Sequence, residues 1–388
     1  MDTGFLPGNR LQLLETGSEY FPALIEAIEA AVREVRLEAY IFEADETGRS
    51  VAAAMANAVR RGVSVHVLVD GFGSQGFMEK LGAKLTADGV EVLIYGPDVS
   101  PLTLRRHRLR RLHRKLVTID GRVAFVGGIN VVNDLDAPGR LPPRYDYAVR
   151  IEGPLLAPIY ASMRHLWQLV SWTRFRHRFG KAKRHPAATG VRGEITAAFL
   201  IRDNLRHRRD IEEAYLGAIA AARDEILLAN AYFLPGRRFR HALMAAAQRG
   251  VKVSVLLQGR ADYRLLHYAT QALYGALLTE GVRIYEYNRS FLHAKVAVID
   301  GHWATVGSSN IDPFSLLLAR EANVVVNNSD FAAALQASLQ RAILQGATEV
   351  RREDWGRKSL LVRLANWLAY TAVRLMIGIS GSSSKHQI

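Results

Sequence analysis

The sequence predicts an α/β protein built from two duplicated lobes, and three observations carry that prediction. Strand-like apolar runs alternate with helix-length amphipathic stretches along most of the chain. The same succession of stretches occurs twice. Each copy then delivers one cluster, HRKLVTIDGRVAFVGGIN at 113–130 and HAKVAVIDGHWATVGSSN at 293–310.

In the first half, Leu24, Ile28, Ala31 and Val35 have helical spacing and precede the strand-like run Arg36–Phe42. A second helix runs to Arg61-Gly62, and the strand VSVHVLV follows at 63–69. In the second half, Ile211, Tyr215, Ile219, Ala222 and Ile226 repeat the spacing and lead into ILLANAYF at 226–233. A further helix runs to Arg249-Gly250, followed by VKVSVLL at 251–257. Each half continues with a helix and one more strand, Val90–Tyr95 and Val282–Tyr287. This alternation predicts parallel sheets with helices on their faces.

Of the 388 residues, 49% are apolar and 23% charged, a globular composition with room for two domains. The net charge of +14, with a pI near 10.1, describes a surface that attracts polyanions, whether nucleic acid or an anionic membrane face. There is no cysteine, so disulfide frameworks, cysteine zinc sites and thiol nucleophiles are excluded. Met1–Arg10 carries no apolar run of the kind a secretory signal needs, and none is expected. The basic stretch Thr173–His185 before Pro186 reads as a junction between the lobes, either a solvated linker or a phosphate-facing patch. These boundaries give an N-terminal lobe at 1–185, a C-terminal lobe at 186–350 and a tail at 351–388.

Within the cluster, His113 and Lys115 are two residues apart, as are His293 and Lys295, so on a strand each pair points from one face. That face would set a nucleophile or proton carrier beside a fixed positive charge. Asp-Gly at 120–121 and 300–301 marks a hairpin turn in each copy. The returning strand carries Gly128 and Asn130 in one copy, Ser308 and Asn310 in the other, again two apart and able to face one pocket. Asp120 and Asp300 lie at an odd offset from their histidines, which predicts a structural role at the turn without substrate contact. A working histidine needs its second ring nitrogen held by an acceptor. Each copy offers one carboxylate at the start of an alternating strand, Asp146 in DYAVRIEG and Glu321 in EANVVV, and these are assigned as the histidine-orienting acids. A metal centre is not expected, because lysine would set a cation beside the ion and no HExxH or carboxylate cage occurs. The run Leu104–Lys115 (LRRHRLRRLHRK) leads into His113 and reads as a basic rim for phosphate.

At these residues the chain resembles the phospholipase D superfamily, whose signature HxKxxxxDxxxxxxG(G/S)xN fits both copies. The resemblance spans roughly 10–355 and is strongest to the short, B-type bacterial cardiolipin synthases, through LQLLETGSEYFPAL, NAYFLPG and HWATVGSSNIDPFS. It implies two α/β lobes whose sheets meet at one shared active site, with His113, Lys115, Asp120, His293, Lys295 and Asp300 as the catalytic motif set. By the same resemblance, His113 attacks phosphorus to give a phosphatidyl-histidine while His293 protonates the leaving alkoxide and then deprotonates the incoming alcohol. Lys115, Lys295, Asn130 and Asn310, with Ser308 and Gly128, would form the phosphate-binding set. Gly128 breaks the symmetry, since its half-site lacks the hydroxyl that Ser308 supplies to the other. Two imidazoles near their ordinary pKa would coexist as one neutral and one protonated ring, which predicts a bell-shaped pH profile.

The tail at 358–379, KSLLVRLANWLAYTAVRLMIGI, reads as a helix with Arg363, Asn366, Tyr370 and Arg374 in one polar stripe. The expectation is an interfacial helix with its arginines at anionic headgroups; packing on the protein's own core is the alternative. The resemblance implies transfer of a phosphatidyl group from one phosphatidylglycerol to another, without a cofactor. It places the chain peripherally on the cytoplasmic face of the bacterial inner membrane. Hydrolysis, another acceptor alcohol, a nuclease, or a lipid-binding protein with a dead site are the rival readings. No aromatic stacking platform stands out, so nucleic acid is not an expected partner.

Overall fold

The computed structural model describes residues 4–96, 111–134, 143–173, 187–203, 206–260, 263–312 and 319–382, with the side chains of the last helix up to Met376. The basic stretches at 104–110 and 174–185 lie outside the described residues. The first half contributes strands β1 (Leu6–Glu15), β2 (Glu34–Ala39), β3 (Ser64–Asp70), β4 (Glu91–Tyr95), β5 (Arg111–Leu112), β6 (Lys115–Ile119), β7 (Val123–Gly127) and β8 (Tyr147–Glu152). The second contributes β9 (Ile195–Arg202), β10 (Glu225–Asn230), β11 (Lys252–Gln258), β12 (Arg283–Tyr287), β13 (Lys295–Ile299), β14 (Trp303–Gly307), β15 (Ala319–Asn327) and β16 (Ala347–Val350).

These strands form one continuous sheet with mirrored halves. From one edge to the middle the order is β4-β3-β2-β6-β7-β8-β1, and from the middle outward β9-β15-β14-β13-β10-β11-β12-β16. The expected duplication is therefore present, but two details differ from the sequence reading. Along this path β2-β3-β4 and β10-β11-β12 pair in parallel, whereas β6, β7, β8 and β1, like their counterparts, pair antiparallel, with the Asp-Gly turns closing the β6–β7 and β13–β14 hairpins. The two sheets also do not merely face each other: β1 pairs antiparallel with β9 and fuses them. Both joining strands escaped the sequence reading. One core cluster runs through the seam, with Leu116, Val126 and Val149 from one half and Val296, Val306 and Val324 from the other. Buried hydroxyls reinforce it: Ser338 bonds Tyr145, Tyr147 and Glu15.

The helices Thr16–Glu29 and Asp210–Ala221 stop before the sequence pattern suggested, and Val35 and Ile226 lie in strands. Every residue of β2 is buried, so apolar spacing there cannot separate helix from strand. Buried charge on β2 is compensated, as Arg36 bonds Glu34 at 2.6 Å and Arg114 bonds Glu38 at 2.8 Å.

The tail is a helix over Leu360–Ser382. Asn366, Ala369 and Val373 are buried, the last two packing into the core of the second lobe together with Trp355. The polar stripe is thus split: Asn366 turns inward, while Arg363 and Arg374 remain exposed. Leu361, Leu364, Trp367, Leu368 and Leu375 form the outward face, 52–78% exposed. Among the described residues no helix is long and apolar enough to cross a membrane.

Candidate active site

Each motif begins with a histidine just ahead of one strand and ends with an asparagine just beyond the next. His113 lies between β5 and β6 and Asn130 follows β7; His293 precedes β13 and Asn310 follows β14. At the hairpin tips Asp120 and Asp300 take left-handed backbone angles (φ 53° and 49°), followed by Gly121 and Gly301 at 61° and 62°. Aspartate tolerates this region better than most residues and glycine enters it freely. The Asp120 carboxylate accepts the backbone N–H groups of Val32, Arg33 and Glu34 at 2.8–2.9 Å. Asp300 accepts those of Arg223, Asp224 and Glu225 at 2.9–3.0 Å. Both aspartates clamp the turn that feeds β2 or β10, and neither is among the residues lining the cleft below. Their grouping with the catalytic residues is therefore corrected to a structural role.

Both imidazoles line a single cleft of about 710 Å³ whose walls come from the two halves. The orienting acids are crossed between halves. His113 Nδ1 lies 3.0 Å from both carboxylate oxygens of Glu321, and His293 Nδ1 lies 2.6 Å from Asp146 Oδ2. Strand pairing dictates the exchange. β5 pairs in parallel with the start of β15, and the His113 N–H donates to the Arg320 carbonyl at 3.0 Å. In the other half-site Tyr145 bridges Leu292, and the His293 N–H donates to the Tyr145 carbonyl at 2.8 Å. The acid of each copy is thereby delivered to the histidine of the other.

Lys115 and Lys295 are buried beneath the rings rather than on the cleft surface. Lys115 Nζ donates to the His113 carbonyl at 2.8 Å; Lys295 Nζ donates to the His293 carbonyl and, at 3.4 Å, to Asp146. Both ammonium groups thus sit behind the histidines, in the field of the carboxylates Asp146 and Glu321.

Burial and the neighbouring lysines lower both imidazoles. Burial lowers the His113 pKa against the pull of Glu321, and Lys115 lowers it further. Burial and then Lys295 push His293 down to about 3, opposed by Asp146. Asp146 is pushed up by burial, but Lys295 and His293 win and hold its carboxyl below the usual range. Burial and the neighbouring Lys295 bring Lys115 to about 7. Both imidazoles are thus held below their ordinary value, and a bound phosphate anion would raise them again.

Asn130 and Asn310 line the cleft as expected. Asn130 Oδ1 accepts the Ile41 N–H at 3.3 Å, which leaves its NH2 group to donate. The expected phosphate contacts of Gly128 and Ser308 are corrected. The buried Ser308 hydroxyl donates to Glu321 at 2.6 Å and so braces the acid that serves His113. At Gly128 a Cβ would lie 2.4 and 2.5 Å from the carboxylate oxygens of Asp146, so no side chain fits. The asymmetry noticed in the sequence is a matched pair: serine beside the longer acid, glycine beside the shorter.

The cleft residues not read from the sequence include Tyr40, Arg144 and Asp312. The Tyr40 ring packs edge-on against His113 at 4.7 Å between centroids and lies over Lys115. Arg144 reaches the same cleft, two positions before Asp146 and so on the same face. The alternation around Asp146 carried that signal; Tyr40, inside an apolar strand, was indistinguishable from core.

Residues 24–134 and 215–343 match the family described as "Cardiolipin synthase, PLD-like domain". Over 360 residues the chain is 41% identical to cardiolipin synthase B of Salmonella typhi, covering 90% of this chain and 84% of that protein. The chain belongs to the phospholipase-D-like cardiolipin synthase family. Within that family, cardiolipin synthase B of Escherichia coli K12 is 39% identical over the same length, with the same coverage. Cardiolipin synthase A of Yersinia pseudotuberculosis is 31% identical over 369 residues, 94% of this chain and 75% of that one. The crystal structure of phosphatidylserine synthase from Haemophilus influenzae superposes with a TM-score of 0.71 over 95% of both chains at 14% identity, which shows a shared fold. Family membership agrees with the resemblance carried by the two motifs.

Proposed function

We propose that this chain is a cardiolipin synthase that moves a phosphatidyl group from one phosphatidylglycerol to another and releases glycerol. The observation carrying this reading is the pair of imidazoles in one cleft, each with Nδ1 held by a buried carboxylate and Nε2 left for a substrate. His113 Nε2 bonds to phosphorus as the bond to the glycerol oxygen breaks, and His293 gives its proton to that oxygen. The arriving phosphate anion supplies the counter-charge that favours protonated His293. A second phosphatidylglycerol then yields its headgroup proton to His293, its oxygen bonds to phosphorus, and the P–N bond breaks. One phosphodiester replaces another, so no cofactor enters. Asn130 and Asn310 donate to the non-bridging oxygens, and the two lysines stabilise the added charge from below.

The substrate sits in a membrane, and the tail helix supports docking on one, though not through the polar stripe read from the sequence. The outward face of Leu364, Trp367 and Leu368 would enter the acyl layer, with exposed Arg363 and Arg374 at anionic headgroups. The bacterial inner membrane, approached from the cytoplasm, is the location this reading assigns.

Purified protein incubated with phosphatidylglycerol vesicles should form cardiolipin and glycerol in equal amounts, and His113→Ala should abolish both. Release of phosphatidic acid without cardiolipin would make the enzyme a hydrolase, and unchanged turnover by His113→Ala would make the site inert. Leu364→Ser with Leu368→Ser should weaken flotation with anionic vesicles; undiminished flotation sinks the docking face.

A further inference from the structure

Arg144 is a cation in the cleft that neither motif accounts for. It shares the cleft wall with His113, His293, Asn130 and Asn310. It is half-buried, and no described residue makes a hydrogen bond or salt bridge with its guanidinium. The pseudo-symmetry of the fold gives it no counterpart. The Tyr145 carbonyl accepts the His293 N–H as the Arg320 carbonyl accepts that of His113, so Arg144 corresponds to Ala319. One wall of the two-fold site therefore carries a guanidinium where the other has a methyl group. Burial raises the neighbouring Asp134 carboxyl to about 7, with Arg144 pulling it down. Asp312 also lines the cleft.

The proposed reaction brings two anions into this space, and the two histidines, two lysines and two asparagines serve the reacting phosphorus. An accepting phosphatidylglycerol carries its own phosphodiester three carbons from the attacking hydroxyl. Water and simple alcohols carry none. We propose that Arg144 is the subsite for the phosphodiester of the accepting lipid, and that it sets the preference for a lipid acceptor over water or a small alcohol. A planar guanidinium suits two oxygens of a phosphodiester. The inference rests on the transferase reading above and adds to it the source of acceptor choice.

The test measures competition within one reaction. Phosphatidylglycerol vesicles containing ethanol give cardiolipin or phosphatidylethanol from the same covalent intermediate, so damage to the donor half-reaction cancels in their ratio. Arg144→Ala should lower the cardiolipin-to-phosphatidylethanol ratio about 10- to 100-fold, the value of a charge-assisted contact. Arg144→Lys, which keeps the charge but loses the planar fork, should give a ratio between those of Arg144→Ala and the unmodified enzyme. A ratio unchanged in Arg144→Ala, at whatever total rate, overturns the subsite; so does an equal collapse in Arg144→Lys and Arg144→Ala. Absence of cardiolipin from the unmodified enzyme would instead overturn the transferase reading itself.

Discussion

At His113 the orienting acid is Glu321, braced by the Ser308 hydroxyl, and the Tyr40 ring lies edge-on against the imidazole. At His293 the acid is Asp146, seated where Gly128 leaves no room for a side chain, and Lys295 comes within 2.7 Å of the same ring nitrogen. The contrast teaches that duplicated motifs conserve a chemical arrangement while its supports diverge together. A shorter acid needs a glycine, and a longer acid reaches a serine. Because the acids are crossed, neither half-site is complete without the other half. The Arg144–Ala319 difference extends the divergence from the supports to the cleft wall.

The largest expected effects come from breaking the crossed pairs. Glu321→Gln and Asp146→Asn should each lower kcat by about 10²- to 10⁴-fold, since each misorients a ring in the opposite lobe. In single-turnover experiments Glu321→Gln should also suppress the covalent phosphatidyl-enzyme, as expected of loss at His113. Turnover within a few-fold of normal in either variant would show that the crossing has no chemical weight.

An intermediate effect separates the two supports. Gly128→Ser should cost about 10- to 100-fold in kcat, because the new Cβ displaces Asp146. Ser308→Gly removes one hydrogen bond from Glu321 and should cost less than about 10-fold. Equal losses, or a larger loss at Ser308, would contradict the matched-pair account.

The smallest effect is in pH dependence. Both imidazoles are held below their ordinary value of 6.5, so the acid limb of kcat/KM should lie below pH 6.5. The same shift has a sign for stability. As pH falls below 6.5 the unfolded chain takes up protons that the folded rings refuse, so stability falls from there toward about pH 3 for His293. Denaturant titrations at pH 7, 5.5 and 4 should show this decline, flatter in His293→Gln. An identical decline in that variant would locate the acid sensitivity elsewhere.

Much of this was legible in the chain itself. The motif offsets, the Asp-Gly turns and the positions of Asp146 and Glu321 are local patterns, and local patterns are what alternation and turn chemistry encode. The parallel character was overread because antiparallel hairpins and parallel strands share the same apolar signature when both faces are buried. Strands β1 and β9 stand just ahead of the first helix of each half, and their role shows only in the pairing across the seam. The tail was read as presenting its polar stripe outward, since periodicity locates a face but not the neighbour that covers it.

The sequence by itself determined a duplicated α/β chain, a paired phosphoryl-transfer motif and a basic surface, because each depends on residue type and spacing alone. Tertiary structure alone decided that Glu321 serves His113 and Asp146 serves His293, that Ser308 braces an acid, and that Arg144 reaches the cleft. Those partners are set by which strands lie edge to edge, and that register follows from burying two lobes against one seam.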